Sequence, residues 1–248
     1  MPYEKRAGEP ERRAYDLFLQ AQIPTPTVLG YDEQTGILRL EDLRATHATD
    51  WAQAERMIDM AADLHAAFWD SHDVFGSVGL PWRLDCEKNF KQHCKAMEKH
   101  MKAYCKAHGF DSAIFRQALT HFRSNMLTRI NGKNITIIHG DLHPGNVLLS
   151  EGSGVFIDLE AVRMGLGTED LAMLLALHIA PEKARAMPLL ERYHARRRAD
   201  GYPFEALLAD YRLALSEALF FPMKLYADGI DDVTMMERAM KAWNDFVG

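Results

Sequence analysis

Asp141, Asn146 and Asp158 stand on the short connections between apolar, strand-like runs, a placement that puts two carboxylates and one amide within reach of one another. Ile135 to Ile138 leads into His139-Gly140-Asp141-Leu142-His143-Pro144-Gly145-Asn146; Val147 to Leu149 follows, and Val155-Phe156-Ile157 delivers Asp158. Phosphoryl transfer needs a carboxylate to position the attacking hydroxyl and oxygen ligands to hold magnesium on nucleotide phosphates. Asp141 suits the first task, and Asn146 with Asp158 the second. Magnesium keeps water and phosphate oxygens for most of its shell, so one Asn and one Asp suffice. Pro144-Gly145-Asn146 alone reads as ordinary turn chemistry. Turn chemistry does not account for Asp158 at the end of the next strand.

The elements around these residues follow from periodicity. Glu9 to Gln22 reads as a helix, with Pro10 in its first turn and an apolar stripe of Ala14, Leu17, Phe18 and Ala21. Ile23-Pro24-Thr25-Pro26 ends it in extended chain. Val28 to Tyr31 and Gly36 to Leu40 read as strands around the turn Asp32 to Thr35. Asp50 to Trp69 reads as a helix with Asp50 as its cap, and Gly76 to Leu84 as a loop. Long helices follow over Cys86 to His108 and Ser112 to Ile130. After the hairpin, Glu160 to Thr168 reads as a loop, and Glu169-Asp170-Leu171-Ala172 opens a helix with acidic residues at its positive end. Three more helices span Pro181 to Val247, with breaks near Gly201 and Gly229. Arg192, Arg196, Arg197 and Arg198 on one of them read as a solvated basic face. His65, on an apolar helix face, reads as a packed core residue.

Composition bounds the partners. The 248 residues are 48% hydrophobic and 26% charged, ordinary for a globular chain that buries a sizeable core. A net charge of −6 argues against a general nucleic-acid binder, because phosphate backbones demand a basic face. Met1 to Pro10 is polar and charged, unlike a signal peptide, and the longest nearly apolar run, Leu171 to Ala180, is about half of what a membrane helix requires. Cys86, Cys94 and Cys105 form neither an even disulfide set nor a close metal pair. Cys94, Met101, Cys105 and His108 recur at helical spacing, where buried and exposed helix faces outweigh a zinc site. A reduced, cytoplasmic protein is the expectation.

His-Gly-Asp-Leu-His-Pro-Gly-Asn followed by Ile-Asp-Leu-Glu resembles the catalytic and metal-binding loops of the aminoglycoside phosphotransferase and choline kinase-like enzymes, small-molecule relatives of the protein kinases. The resemblance implies an α+β, protein kinase-like fold: a curtailed, strand-containing amino-terminal lobe over residues 1–43 and a mostly helical lobe over 44–248. It implies an ATP- and magnesium-dependent transfer to a hydroxyl of a small molecule. Asp141 would be the catalytic base, Asn146 and Asp158 the metal ligands, and His139 a structural loop histidine. His143 would orient Asp141 or line the acceptor site. Glu41-Asp42-Leu43 resembles the inter-lobe hinge whose backbone meets adenine; a polar strand end is the competing reading. Gly165-x-Gly167-x-x-Asp170 resembles the segment in which a second Asp braces the catalytic loop, a role that can coexist with capping a helix. Leu64-His65-Ala66-Ala67-Phe68-Trp69 tilts the resemblance toward the choline kinase-like and ecdysteroid kinase-like branch.

The resemblance fails at the amino terminus. Family members begin with a five-stranded lobe carrying a phosphate-covering loop and a strand Lys that pairs with a helix Glu. Here the helix begins near residue 9, leaving no room for the first strands. Glu11, with Glu9 as competitor, would be the helix Glu, and Lys5 the strand Lys. Six residues from Lys5 to Glu11 are short for a strand, a turn and a helical turn to fold back into an ion pair, so a mobile terminal Lys competes. A truncated kinase is the simplest expectation, with an exposed sheet edge favouring self-association into a homo-oligomer. A catalytically silent binding module and a metal-dependent hydrolase are the rival functions.

Overall fold

The computed structural model describes residues 2–43, 45–48, 53–69, 87–130, 134–150 and 153–247. Asp50, the loop from Gly76 to Leu84 and Cys86 lie outside them. At the amino end, β1 (Tyr3–Arg6), β2 (Val28–Asp32) and β3 (Ile37–Leu40) form an antiparallel sheet in the order β1-β3-β2, with Lys5 opposite Leu38. Helix α1 (Glu9–Gln20) starts directly after β1, with Glu9 and Glu11 at its positive end and Pro10 at a position that needs no N–H partner. Ala14, Leu17 and Phe18 of the expected stripe are buried and Tyr15 joins them, while Ala21 falls at the cap just past the helix end.

A second small sheet joins β4 (Thr46–His47), β6 (Val147–Ser150) and β7 (Ser153–Phe156), and a third pairs β5 (Ile135–Ile138) with β8 (Arg163–Leu166). Strand β8 corrects the expected loop at Glu160 to Thr168. Met164, Gly165 and Leu166 are buried and pair with Ile137, Thr136 and Ile135. Gly165 allows the approach, since a Cβ there would lie 2.7 Å from the Ile138 side chain and from the Glu169 carboxylate. The two glycines that disguised this segment as a loop are what lets it pack.

The helical part contains α2 (Ala54–Ala67), α3 (Glu87–His108), α4 (Ala113–Ile130), α5 (Gly167–Leu171), α6 (Lys183–Arg196), α7 (Phe204–Ala218), α8 (Phe221–Ala227) and α9 (Val233–Phe246). The carboxy-terminal region therefore holds four α-helices where three were expected, because α7 and α8 separate at Leu219-Phe220. Helix α2 begins at Ala54 with Gln53 in the cap position. Helix α5 runs on as a π-helix over Ala172–Ile179, marked by the bond from Ala180 N to Leu175 O at 2.7 Å. The basic cluster divides. Arg192 and Arg196 pair at the surface with Glu55, Asp59 and Asp63 of α2. Arg197 is instead fully buried, its guanidinium 4.1 Å from the centre of the Trp69 ring and bonded to Asp200 at 2.7 Å. A planar cation that stacks on aromatics accounts for burial where a solvated face was expected.

Among the described residues Cys94 and Cys105 are free thiols, no cluster of three or more His, Cys, Asp or Glu is arranged to hold a metal, and no helix is long and apolar enough to cross a membrane.

Candidate active site

The loop from His139 to Asn146 leaves β5 and is held from behind by one carboxylate. Asp170 at the start of α5 accepts the backbone N–H of His139 at Oδ2 and that of Gly140 at Oδ1, both at 2.8 Å. His65 of α2 lies 3.0 Å from Asp170 Oδ2 through Nε2 and 2.8 Å from the Tyr193 hydroxyl through Nδ1. All three side chains are buried. Burial works to raise the Asp170 carboxyl, but the contact with His65 and the backbone N–H groups draw it below its usual range. A bracing Asp170 and a core His65 thus form one network. Gly167 makes room for it, since a Cβ there would meet His65 Nδ1 and the Tyr193 hydroxyl at 2.7 Å.

Gly140 turns the chain at φ +81°, with Arg163 and Ala161 packed where a side chain would go. Arg163 donates to Gly140 O at 3.1 Å and to Glu169 Oε2 at 2.8 Å, while Leu166 N donates to Glu169 Oε1. Arg163 and Glu169 hold the loop from the front; sequence reading missed both roles, taking Arg163 for a loop residue and Glu169 for an acidic residue at a helix start.

Asp141 is half-exposed, and Asn146 is buried beneath it. Asn146 Nδ2 donates to Asp141 O at 2.8 Å and to Asp141 Oδ2 at 3.2 Å. The amide nitrogen is therefore committed to the loop, which leaves its oxygen as the atom available to a cation. His143 Nε2 lies 3.7 Å from the same Asp141 oxygen, and this neighbour holds the Asp141 carboxyl below its usual range. His139 is buried, donates from Nε2 to Ile157 O at 3.0 Å, and is held neutral by burial. That contact ties the loop to the strand end bearing Asp158. Asp158 itself has φ 59° and ψ 63°, a left-handed backbone that a non-glycine residue adopts at a cost of about 1–2 kcal/mol.

Lys5 brings in the amino-terminal sheet. Its Nζ lies 2.8 Å from Glu11 Oε1 and also contacts Asp158. The six-residue separation is enough because Gly8 begins α1 immediately after β1, so Glu11 in the first helical turn faces back along the strand. Burial disfavours the Lys5 ammonium, yet Asp158 and Glu11 outweigh it and raise its pKa.

Two cavities meet at this loop. One, of about 420 Å³, is lined by Lys5, Leu40, Glu41, Asp42, Leu43, Asn146 and Asp158 among others. Glu41 N is spent on Thr27 O at 2.9 Å, and Glu41 Oε2 accepts from the Thr27 hydroxyl at 2.7 Å. The other cavity, of about 670 Å³, is lined by Gly140, Asp141, Glu160, Met97, Met173 and Lys224, with helices α3, α7 and α8 as its walls. Every residue predicted from sequence for the site except Glu11, His139, His143 and Asp170 lines one of the two cavities, and those four touch residues that do, while Glu9, the competitor of Glu11, pairs with Arg13 at the surface.

Comparison with solved structures finds the same fold in proteins of low sequence identity. The choline kinase LicA from Streptococcus pneumoniae has a TM-score of 0.61 at 16% identity, covering 98% of this chain and 85% of its own. The ethanolamine kinase from Plasmodium vivax has 0.63 at 12%, covering 97% and 71%. Aminoglycoside 2'-phosphotransferase-IIIa, solved with GDP, has 0.58 at 16%, covering 95% and 80%. No curated protein matches the chain. The fold is therefore protein kinase-like, α+β and mostly helical. The model of the phosphotransferase enzyme family matches residues 2–208, a span that runs from β1 through the looped-out Asp141 and Asp158 into α7, and to that family the chain belongs.

Proposed function

We propose that this phosphotransferase moves the γ-phosphoryl group of ATP onto a hydroxyl of a small molecule. The observation that carries the reading is the division of labour across one loop: Asn146 lines the cavity that also holds Lys5, Glu41 to Leu43 and Asp158, while Asp141, five residues earlier, lines the other. The first cavity would take the nucleotide. Pro26, Leu40, Leu148 and Ile157 offer apolar surface to a purine, and Glu41 C=O and Leu43 N–H have no backbone partner among the described residues. Solved relatives hold AMP, in LicA, and GDP, in aminoglycoside 2'-phosphotransferase-IIIa, which supports a nucleotide donor. The division at residue 43 between a strand-bearing lobe and a helical lobe belongs to the same proposal.

Magnesium fits the residues present. The Asn146 side chain presents its oxygen because its nitrogen is bonded to Asp141, and the half-exposed Asp158 carboxylate lies on the same cavity wall. Magnesium bound there would neutralise charge on the nucleotide phosphates. Lys5, held by Glu11, carries a fixed positive charge to the same wall. Asp141 accepts the hydrogen of the attacking hydroxyl and aims its oxygen at phosphorus; transfer then depends on positioning more than on acid–base strength. The acceptor would occupy the larger cavity, whose size admits a small molecule.

Calorimetric titration of Mg-ATP into the chain, with Asp158→Ala alongside, tests the reading. Binding by the wild type that disappears in the variant is expected. A folded wild type that takes up no Mg-ATP would sink it.

A further inference from the structure

His143 is fixed more firmly than a residue that merely fills a loop. Its Nδ1 accepts the backbone N–H of Gly145 at 3.0 Å, capping the 3₁₀ turn Pro144–Asn146. A Cβ at Gly145 would lie 2.8 Å from His143 Cε1 and 3.0 Å from Nδ1, so the glycine is what allows the ring to fold back over the turn. On its other side the ring stacks on His178, with centroids 5.1 Å apart and planes 26° from parallel. His178 belongs to the π-helix Ala172–Ile179, whose carbonyls at Leu177 and His178 accept from Arg238 at 3.2 and 3.0 Å. π-helical turns are rare and recur beside functional sites, where the extra residue re-aims a side chain.

This clamp determines a proton. A nitrogen that accepts a backbone N–H carries no hydrogen, so a neutral His143 bears its proton on Nε2. That nitrogen is the one 3.7 Å from Asp141 Oδ2, the oxygen that Asn146 Nδ2 approaches at 3.2 Å. The 3.7 Å separation is longer than a hydrogen bond, and contacts of this kind tighten when substrate fills a site. Two donors thus converge on Oδ2, while Oδ1 takes no hydrogen bond from any described residue.

We propose that His143, clamped between Gly145 and His178, is a positioning residue that selects Oδ1 of Asp141 as the oxygen that meets the acceptor hydroxyl. The proposal rests on the phosphotransferase reading above. His178 acts through His143, and Gly145 by leaving space.

Paired substitutions separate the two ends of the imidazole. His143→Asn keeps an oxygen where Nδ1 caps the turn and loses the reach to Asp141; His143→Gln keeps a donor near Nε2 and loses the cap. The full chain is assayed for phosphate release from Mg-ATP, with water as acceptor, alongside thermal melts. His143→Asn is expected to lower kcat about tenfold or more with little change in KM for Mg-ATP, and to melt near the wild type. His143→Gln should melt lower yet recover part of the rate. His178→Ala should lower kcat and His178→Phe, which restores a stacking ring, should recover it. Nitrogen-15 NMR of His143 in the wild type should show the Nε2–H tautomer, a readout independent of turnover. A proton on Nδ1, or wild-type turnover that His143→Asn leaves untouched, overturns this proposal alone. A wild type that neither binds nor turns over Mg-ATP overturns the proposed transfer from ATP and this proposal with it.

Discussion

Lys5 Nζ sits 2.8 Å from Glu11 Oε1 and also touches Asp158, so the first strand, the first helix and the turn bearing a proposed metal ligand meet at a single cation. Glu11 is almost fully buried, and burial raises its carboxyl pKa against the pull of Lys5. Lys5→Met would leave that carboxylate without its partner, at a cost of about 1–3 kcal/mol in stability. The same change removes a charge from the cavity proposed to take the nucleotide. Mg-ATP affinity is expected to fall roughly tenfold to a hundredfold, read by calorimetry on a variant whose circular dichroism shows it folded.

Gly140 and Gly109 offer a controlled comparison. Both have positive φ, +81° and +70°, but a Cβ at Gly140 would meet Arg163 Nη1 at 2.0 Å and Ala161 O at 2.2 Å, whereas Gly109 has nothing within 4 Å. Gly109→Ala should cost only the backbone preference, about 1–2 kcal/mol. Gly140→Ala should cost more and displace the loop that carries Asp141, with turnover falling about a hundredfold or more. Equal melting temperatures and equal rates for the two variants would contradict the account of the loop.

Asp170 is the carboxylate on which the loop hangs. Asp170→Ala leaves the N–H groups of His139 and Gly140 buried and unpaired and is expected to destabilise the chain by about 2–5 kcal/mol. Asp170→Asn keeps one acceptor oxygen, so it should fold, melt lower than the wild type and lose kcat while KM for Mg-ATP changes little. A KM effect without a kcat effect would mean that the carboxylate supports the nucleotide cavity, not the loop.

Acid should unfold the protein through its buried histidines. Burial lowers the pKa of His65, His139 and the partly buried His178, the last to about 4 from its ordinary 6.5. A histidine kept neutral in the fold stabilises it above the unfolded pKa, and that stabilisation is lost as pH falls toward the folded value. His178 alone accounts for about 3 kcal/mol over that window. The melting temperature should therefore drop steadily between about pH 6.5 and pH 4, and the drop should be shallower in His178→Phe. A flat profile over that range would show that these rings can take up protons within the fold.

What the sequence revealed and what it hid divide along chain distance. Asp141, Asn146 and Asp158 flank one hairpin, β6–β7, where strand period and turn chemistry fix geometry locally, so their grouping is legible. The Lys5–Glu11 pair was doubted because residue spacing says nothing of direction, and the reversal at Gly8 supplies it. Strand β8 was hidden because Gly165 and Gly167 look like loop residues until Glu169, Ile138, His65 and Tyr193 are seen filling the space they leave. The stack of His143 on His178 depends on a π-helical turn, for which an apolar run such as Leu171 to Ala180 carries no periodic signal. Arg197 was read with its basic neighbours, although its partners Trp69 and Tyr202 come from elements that no local pattern connects.

The loop between Gly140 and Asn146 is the party wall between two rooms: Gly140 and Asp141 face the larger, Gly145 and Asn146 the smaller. A single molecule filling both has to pass beside those side chains. An inhibitor made by joining a purine to an acceptor mimic would therefore act as a ruler, with the best linker length reporting how wide the doorway beside Asp141 stands. Under the proposed transfer, the same gap would limit which alcohols could present their oxygen to the phosphoryl group.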